Sequence, residues 1–249
     1  MRARGYAALL TASAITLIAP PSPAQRAGDG FLFHVPIGTL GVRGGINLAS
    51  ANSDVFAFVT DQLTLDRSDF NAPSLGSNLA IRLSGSTDLV LDVSYSTVSH
   101  GSEFRHWVDQ NDQPIEQTTS LRRIPVTLGV RHYVTSRGRS VGQFAWIPAR
   151  RSLYVGLGGG MMEYKFHQVG DFIDFKTLNV FHDEFTSQDW TAVAQANAGL
   201  DLALGDFVLL NTEARYTWAK ALMSSDYVGF NRIDLSGLSV TAGFSFRLY

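Results

Sequence analysis

The stretch Leu238 to Tyr249, LSVTAGFSFRLY, decides the fold. Apolar side chains occupy every second position in it, with small or polar residues between them: Leu238, Val240, Ala242, Phe244, Phe246 and Leu248. Successive side chains of a β-strand point to opposite faces of the sheet, so this pattern predicts a strand with one wholly apolar face. The two faces of such a strand must meet different surroundings.

Seven further segments alternate in the same way. They lie at residues 40–48, 75–83, 89–99, 121–134, 153–166, 190–204 and 208–218. Short links at 84–88 and 205–206 predict tight turns, whereas the long connections at 49–74, 100–120, 167–189 and 220–234 all fall at the other end of an up-and-down meander. The pattern predicts an all-β fold, an eight-stranded antiparallel up-and-down transmembrane β-barrel with its long loops outside the cell.

Three places depart from a simple meander. Pro125 removes one ladder donor, so we expect a local irregularity in the fourth strand. The run Gly158 to Gly160, followed by Glu163, predicts a bulge that changes the phase of the fifth strand. The link Thr135 to Ser152 is long for a periplasmic turn, and its arginines around Trp146 predict an ordered interfacial segment.

The N-terminus predicts export. Arg2 and Arg4 precede an apolar run, Ala7 to Ala19, and Ser22-Pro23-Ala24 offers small residues for cleavage. We expect a signal peptide at residues 1–24 and a barrel domain at 25–249.

The chain has no cysteine, which excludes a lipobox anchor, disulfides and thiolate metal sites. A formal net charge of -2 gives no reason to expect nucleic-acid binding.

A soluble lipocalin-like barrel would alternate too, with its apolar face inside. The polar faces here contain almost no lysine, unlike a solvated surface. Aromatic residues lie near the ends of the apolar faces, where amphipathic rings favour a membrane interface: Trp190, Tyr216, Trp218, Phe244 and Phe246. These observations favour lipid on the apolar side and the bacterial outer membrane as the location.

If lipid covers the apolar face, the polar face fills a lumen just wide enough for side chains. Buried charges need partners, so we expect a charged network that plugs this lumen. Its predicted members are Arg43, Arg82, Asp92, Arg131, Asp201, Glu213, Arg215 and Arg247. In particular, we expect Glu213 to pair with several of Arg43, Arg82, Arg131 and Arg215. A purely structural role of the same charges is the alternative.

The chain resembles the small outer-membrane barrels grouped with OmpA, OmpX and OmpW of Gram-negative bacteria. The resemblance rests on four segments in order: Gly41 to Gly45, Ile124 to Arg131, Glu213 to Tyr216, and Gly243 to Leu248. It implies a monomer without cofactor, outer-membrane lipid and lipopolysaccharide as surroundings, and insertion by the barrel-assembly machinery. It also implies a structural or surface-interaction role; OmpW-like passage of small hydrophobic solutes is the alternative, and a lipid-modifying enzyme the third.

Catalytic and metal-binding signals are weak. Ser99 and His100 are adjacent, and neighbouring residues on a strand point to opposite faces, so they cannot act as nucleophile and base within a strand. The third long connection carries five carboxylates among four phenylalanines, without the spacing of a calcium loop. We therefore expect no catalytic and no metal site, and leave open whether this connection packs its own core or presents a binding surface.

Overall fold

The computed structural model describes residues 32–142 and 145–249, so the predicted signal peptide lies outside the described residues. The described residues form one α-helix, eleven strands and two short 3-10 helices, at Arg67–Phe70 and Ser225–Tyr227. The α-helix and the strands are, in chain order, β1 (Gly38–Ala49), α1 (Asp54–Gln62), β2 (Ala72–Arg82), β3 (Thr87–Val108), β4 (Pro114–Tyr133), β5 (Gly138–Val141), β6 (Ala145–Pro148), β7 (Arg151–Ile173), β8 (Val180–Ala203), β9 (Val208–Ala221), β10 (Ile233–Asp234) and β11 (Gly237–Leu248).

Eight of these strands close into a ring. The order is β1-β2-β3-β4-β7-β8-β9-β11, and β11 pairs with β1 from Gly38–Leu248 to Ala49–Gly237. All pairings in the ring are antiparallel. The predicted eight-stranded barrel is confirmed. Closure leaves no unpaired strand edge, which is the condition for a sheet to cross a bilayer.

The predicted apolar faces point outward. Exposed side chains include Leu40, Val42, Leu128, Leu157 and Phe244. Such a surface would be unfavourable in water but suits lipid. On β9, Val208 and Trp218 are ten residues apart, which at about 3.4 Å per residue and a tilt of about 40° spans roughly 25 Å of membrane. The apolar exterior therefore matches the height of an outer-membrane barrel.

Beyond the membrane the strands continue as hairpins. The connections predicted at 100–120 and 167–189 are mostly strand, because β3 ends only at Val108 and β7 and β8 pair up to Ile173 and Val180. The strands therefore extend further into these connections than the alternation of the sequence indicates. In water both faces of a hairpin can be polar, so the alternation that marks the membrane segment disappears from the sequence.

The predicted bulge at Gly158 to Gly160 is absent. The pairings of β7 with both neighbours keep one register through this region. Tyr164 and Phe166 therefore face inward, and both are fully buried. The pairing of β3 with β4 does pause opposite Pro125, since Val93–Val126 is followed by Ser96–Arg123 without a change of register.

An apolar cluster fills the extracellular half of the barrel. It forms around helix α1, whose Val55, Phe56 and Val59 are buried against inward-facing residues of the strands. The ring of Phe56 lies 5.8 Å from that of Phe166. No helix in the described parts of the chain is long and apolar enough to span a membrane. Helix α1 is instead part of the interior packing.

The helix is also tied to the connection between β9 and β10. The Asp54 carboxylate accepts hydrogen bonds from the backbone N–H and the side-chain amide of Asn231, at 2.7 and 2.8 Å. The bond from the Asn231 backbone is the main reason why the pKa of Asp54 lies below its usual value. Burial raises the pKa of the Tyr227 phenol in the same connection. Two extracellular connections thus hold each other over the barrel mouth.

The link at 135–152 forms a small hairpin, β5 paired with β6. Its Trp146 is buried and pairs with Leu32 through two backbone hydrogen bonds of 2.7 and 2.8 Å. Arg137 Nη1 contacts Asp88 at 2.7 Å. The described parts of the link, 135–142 and 145–152, therefore pack against Leu32 and Asp88 at the periplasmic end of the barrel.

The outward face gives a direct prediction. Ala196→Arg, in the lipid-facing part of β8, should lower the free energy of unfolding by roughly 2–4 kcal/mol because it places a guanidinium in hydrocarbon. Gln188→Arg on the same strand and face lies above Trp190 in water and should have little effect. Urea titration of both variants in lipid vesicles checks this. Equal losses would mean that lipid does not cover this face.

Candidate functional site: the lumen

Asp92 lies at the centre of a buried ion-pair network. Arg215 approaches it with both terminal nitrogens, Nη1 to Oδ1 at 2.5 Å and Nη2 to Oδ2 at 3.0 Å. Arg43 Nη2 lies 2.6 Å from Oδ2. Strand alternation explains why these three side chains are in contact, since they occupy inward positions on β3, β9 and β1. A two-pronged arginine contact of this kind is strong and fixes orientation.

Glu213 forms the second centre. Its Oε1 accepts hydrogen bonds from Arg215 Nη2 at 2.6 Å and Nε at 3.0 Å. Its Oε2 accepts from Asn197 Nδ2 at 2.7 Å and from the Tyr154 hydroxyl at 3.0 Å. Arg131 Nη2 is 3.8 Å from the same oxygen. Removing this carboxylate would therefore break four hydrogen bonds, two from Arg215 and one each from Asn197 and Tyr154.

Asp201 joins the network on the periplasmic side. It accepts hydrogen bonds from the Tyr133 hydroxyl at 2.8 Å and from Asn211 Nδ2 at 2.6 Å. Asn211 also donates to the Tyr154 hydroxyl at 2.9 Å. The guanidinium of Arg131 lies 4.3 Å from the Tyr154 ring centroid, a cation–π contact. The network thus combines three arginines, three carboxylates and the tyrosine and amide groups between them.

Two predicted members, Arg82 and Arg247, lie elsewhere and do not contact Glu213. Arg82 donates to the Ser84 carbonyl at 3.1 Å, at the periplasmic turn. Arg247 donates to the carbonyls of Gly205 and Asp206 at 2.8 and 2.7 Å. Both guanidinium groups lie 5.8 Å from the Trp146 ring centroid. They face inward but too near the strand ends to reach the network.

The sequence did not predict the ion pair between Asp88 and Arg137 at the periplasmic end of the barrel. Asp88 is 1% exposed, and both of its oxygens accept hydrogen bonds from Arg137 Nη1, at 2.7 and 2.9 Å. Asp88 occupies an inward position opposite Arg131 on β4, which alternation could have shown. The partner comes from the link before β5, whose path into the barrel end no periodic pattern reveals.

Inward glycines make room for the large side chains of the network. A Cβ atom added at Gly199 would lie 2.3 Å from the Tyr154 hydroxyl oxygen. Gly199→Val should therefore displace Tyr154 from Glu213 and Asn211 and lower the free energy of unfolding by about 1–3 kcal/mol. Ala198→Val, the neighbouring outward position, should cost almost nothing. Thermal unfolding in detergent compares the two, and an equal change in both would show that Gly199 does not face Tyr154.

The predicted interface aromatics all lie on the exterior. Trp190 and Trp218 are half exposed, on β8 and β9 near the extracellular side. Tyr216 packs beside Trp218 with ring centroids 4.8 Å apart. Phe244 and Phe246 on β11 are also half exposed and pair with Val42 and Leu40 of β1, towards the periplasm. The aromatic rings therefore border the apolar exterior above and below.

The outer face above the membrane carries one serine–histidine contact. Ser120 Oγ lies 3.5 Å from His167 Nδ1, and His167 Nε2 lies 3.0 Å from Glu184 Oε1. Ser120 also donates to the His167 carbonyl at 3.4 Å. The backbone N–H groups here lie within the continuous β4–β7–β8 pairing, so an oxyanion would have no pair of free backbone donors. The contact has the geometry of ordinary cross-strand hydrogen bonds.

Ser99 and His100 remain consecutive residues within strand β3, opposite Ser120 and Thr119. They therefore point to opposite faces.

The carboxylates of the β7–β8 hairpin serve separate contacts: Asp171 pairs with His182 at 2.8 Å, and Asp174 accepts from the Lys176 backbone N–H at 2.9 Å. That hydrogen bond is the largest cause of the lowered pKa of Asp174. Among the described residues, no three histidines or carboxylates gather as metal ligands would.

The extracellular end carries a second feature, which we call the aromatic surface: Phe58, Trp107, Phe175 and Phe230. Phe58 lies 6.3 Å from Phe175 and 5.5 Å from Phe230, and Trp107 lies 6.3 Å from Phe175, between ring centroids. These residues come from all four extracellular connections. Phe175 is 50% exposed and Phe58 39%. The aromatic surface is thus a joint product of connections that are far apart in sequence.

No family model and no curated protein matches the chain. Solved structures that resemble it include Neisserial surface protein A (NspA), with 10% identity, a TM-score of 0.47, and coverage of 88% of this chain and 97% of that chain. Another is the outer membrane protein OprG from Pseudomonas aeruginosa, with 14% identity, a TM-score of 0.46, and coverage of 88% and 99%.

The fold and its two surfaces decide the class of protein. The ring has no open edge, its membrane-spanning part carries apolar residues on the outer face, and its charged network residues are buried inside the barrel. Only a bilayer satisfies such an exterior, and closed β-barrels of this size are structures of the bacterial outer membrane. The chain is a small eight-stranded outer-membrane β-barrel.

Proposed function

We propose that this barrel is a plugged membrane anchor that presents the aromatic surface at the cell exterior for binding to a macromolecular partner. The observation that carries the proposal is the position of that surface. Phe58 and Phe175 are exposed on the extracellular connections, beyond the interface residues Trp190 and Trp218. Aromatic side chains exposed outside the lipid-facing band are typical of binding surfaces.

A plugged lumen is the second part of the proposal. The apolar cluster around α1 fills the extracellular half, the ion-pair network the middle, and the segment around Trp146 the periplasmic end. Among the described residues, one cavity beside Arg123 measures about 20 Å³ and one beside Trp146 about 40 Å³. Each is comparable to the space of one or a few water molecules. A solute would have to displace α1 and break buried ion pairs to pass.

Passage of small hydrophobic solutes is the alternative role, and lipid modification the third. Passage needs a continuous route, and the buried α1 side chains oppose one at the outer mouth. An acyl-transfer enzyme needs a nucleophile with an oxyanion site, and the Ser120–His167 contact lacks free backbone donors. We therefore propose no catalytic role, no cofactor and a monomeric barrel in lipopolysaccharide, inserted by the barrel-assembly machinery.

Adhesion of cells that display the protein tests the binding role. The double variant Phe58→Ser/Phe175→Ser should abolish the gain in adherence to a serum-protein layer, and in aggregation with neighbouring cells, that the wild type confers. Lys176→Ser, at an exposed polar neighbour of Phe175, is the matched control and should leave both unchanged. Folding of each variant is verified by the mobility shift on heating in detergent gels. Unchanged adhesion of a folded double variant would contradict the proposal.

A further inference from the structure

Arg123 is a fully buried cation whose hydrogen bonds are incomplete. Its side chain lies inside the barrel on β4 and the residue is 2% exposed. Its Nε and Nη2 atoms are buried and have no hydrogen-bond partner. Asp234 is the carboxylate that attracts it electrostatically, but Asp234 accepts its hydrogen bonds from the backbone N–H groups of Asn52 and Ser236. A buried guanidinium in this state is costly unless something else accepts its protons.

A cavity adjoins this guanidinium. It measures about 20 Å³ and lies between the ion-pair network and the apolar cluster, because Glu213 and Arg215 line it on one side and Met162 and Leu235 on the other. A volume above about 10–15 Å³ accommodates one water-sized particle. We call it the Arg123 chamber.

The strand register explains the polar lining of the chamber. Five successive cross-strand pairs lead around the barrel from Glu213 to Arg123: Glu213–Thr241, Thr241–Gly45, Gly45–Ser74, Ser74–Ser96 and Ser96–Arg123. The row therefore places hydroxyl groups between the Glu213 carboxylate and the Arg123 guanidinium. The chamber's other arginines, Arg43 and Arg215, are already paired with Asp92. Arg123 is therefore the arginine of this chamber whose N–H donors lack acceptors.

We propose that the Arg123 chamber binds one small monovalent anion of the size of chloride, held by Arg123 and by the hydroxyl groups of Ser74 and Ser96. Charge selects an anion, because guanidinium and hydroxyl groups both donate hydrogen bonds. The chamber accommodates one or a few water-sized particles, which suits a monatomic anion. The anion enters as the barrel folds and closes Arg123 off from the apolar cluster above it.

Crystals of the whole barrel grown with bromide in place of chloride give the direct test. The proposal predicts an anomalous peak inside the chamber, within hydrogen-bond reach of Arg123 Nη2. A chamber that holds only water, or no density, overturns it.

Stability in solution gives a second, independent test. For the wild type, the folding equilibrium constant should rise up to tenfold for each tenfold increase of chloride above the dissociation constant, at constant ionic strength set with gluconate. Arg123→Met should remove this dependence, whereas Arg82→Met, at an arginine outside the chamber, should keep it. If Arg123→Met does not fold, Ser96→Ala should fold and show a weaker dependence. Equal stability of the wild type in chloride and gluconate overturns the proposal.

Discussion

Replacement of Glu213 by alanine is expected to lower the free energy of unfolding by about 3–5 kcal/mol, the usual effect of breaking a buried ion pair. Glu213 accepts hydrogen bonds from Arg215, Asn197 and Tyr154 and faces Arg131 at 3.8 Å. Without it, Arg131 and Arg215 face each other as buried cations with only Asp92 and Asp201 to balance them. Glu213→Gln should fall between, because it keeps acceptor capacity but loses the charge.

Glu184→Ala provides the control for this experiment. Glu184 also contacts a basic side chain, His167, but its side chain is 63% exposed on the outer face. Exposed pairs contribute between nothing and about 1 kcal/mol, so this variant should remain close to the wild type. Urea titration followed by tryptophan fluorescence compares the variants. Similar losses at Glu213 and Glu184 would mean that the network is not buried in lumen packing.

Replacement of Phe56 by aspartate should release helix α1 from the barrel mouth. Phe56 is fully buried and packs edge-on against Phe70 and Phe166, at 4.6 and 5.8 Å. The lost ring contacts and the buried, unpaired carboxylate together cost more than about 4 kcal/mol of folding free energy. The packing of one nine-residue helix is not expected to offset this cost. The barrel strands should stay folded while the segment between β1 and β2 becomes sensitive to protease.

Ala57→Asp is the matched control, because Ala57 is the next residue of the same helix and is exposed. Limited proteolysis of both variants, followed by the gel shift of the folded barrel, reports on release of α1. Cleavage of Ala57→Asp at the rate of Phe56→Asp would mean that the helix lies loosely over the mouth. Resistance of both would place Phe56 outside the packing that closes it.

Most of the barrel could be predicted from the sequence, because a lipid-facing surface requires apolar side chains at every second position of each strand. Leu40, Leu128 and Phe244 had to alternate with inward residues, and both the number of strands and their outer faces follow from that. The network centre was accessible for the same reason: Asp92, Glu213 and Arg215 are polar residues at inward positions.

The features that the sequence did not predict depend on how segments that are distant in sequence come together. Tyr164 and Phe166 suggested a change of phase because an apolar interior was not expected; they face inward to meet α1. The helix itself is nine residues long, and its spacing of Val55, Phe56 and Val59 was the available signal. Arg82 faces the lumen as predicted, but its height relative to Glu213 depends on the stagger of the strands, which no single segment encodes.

Conductance of the refolded wild-type protein in planar bilayers tests the closed lumen most directly. With α1, the network around Asp92 and Glu213, and the segment around Trp146 in place, insertion should leave the bilayer at its baseline current at moderate voltages. Phe56→Asp in the same bilayers should not open a full pore either, because the network and the periplasmic segment remain. Large, steady single-channel currents in the wild type would contradict the account and assign the barrel a transport role.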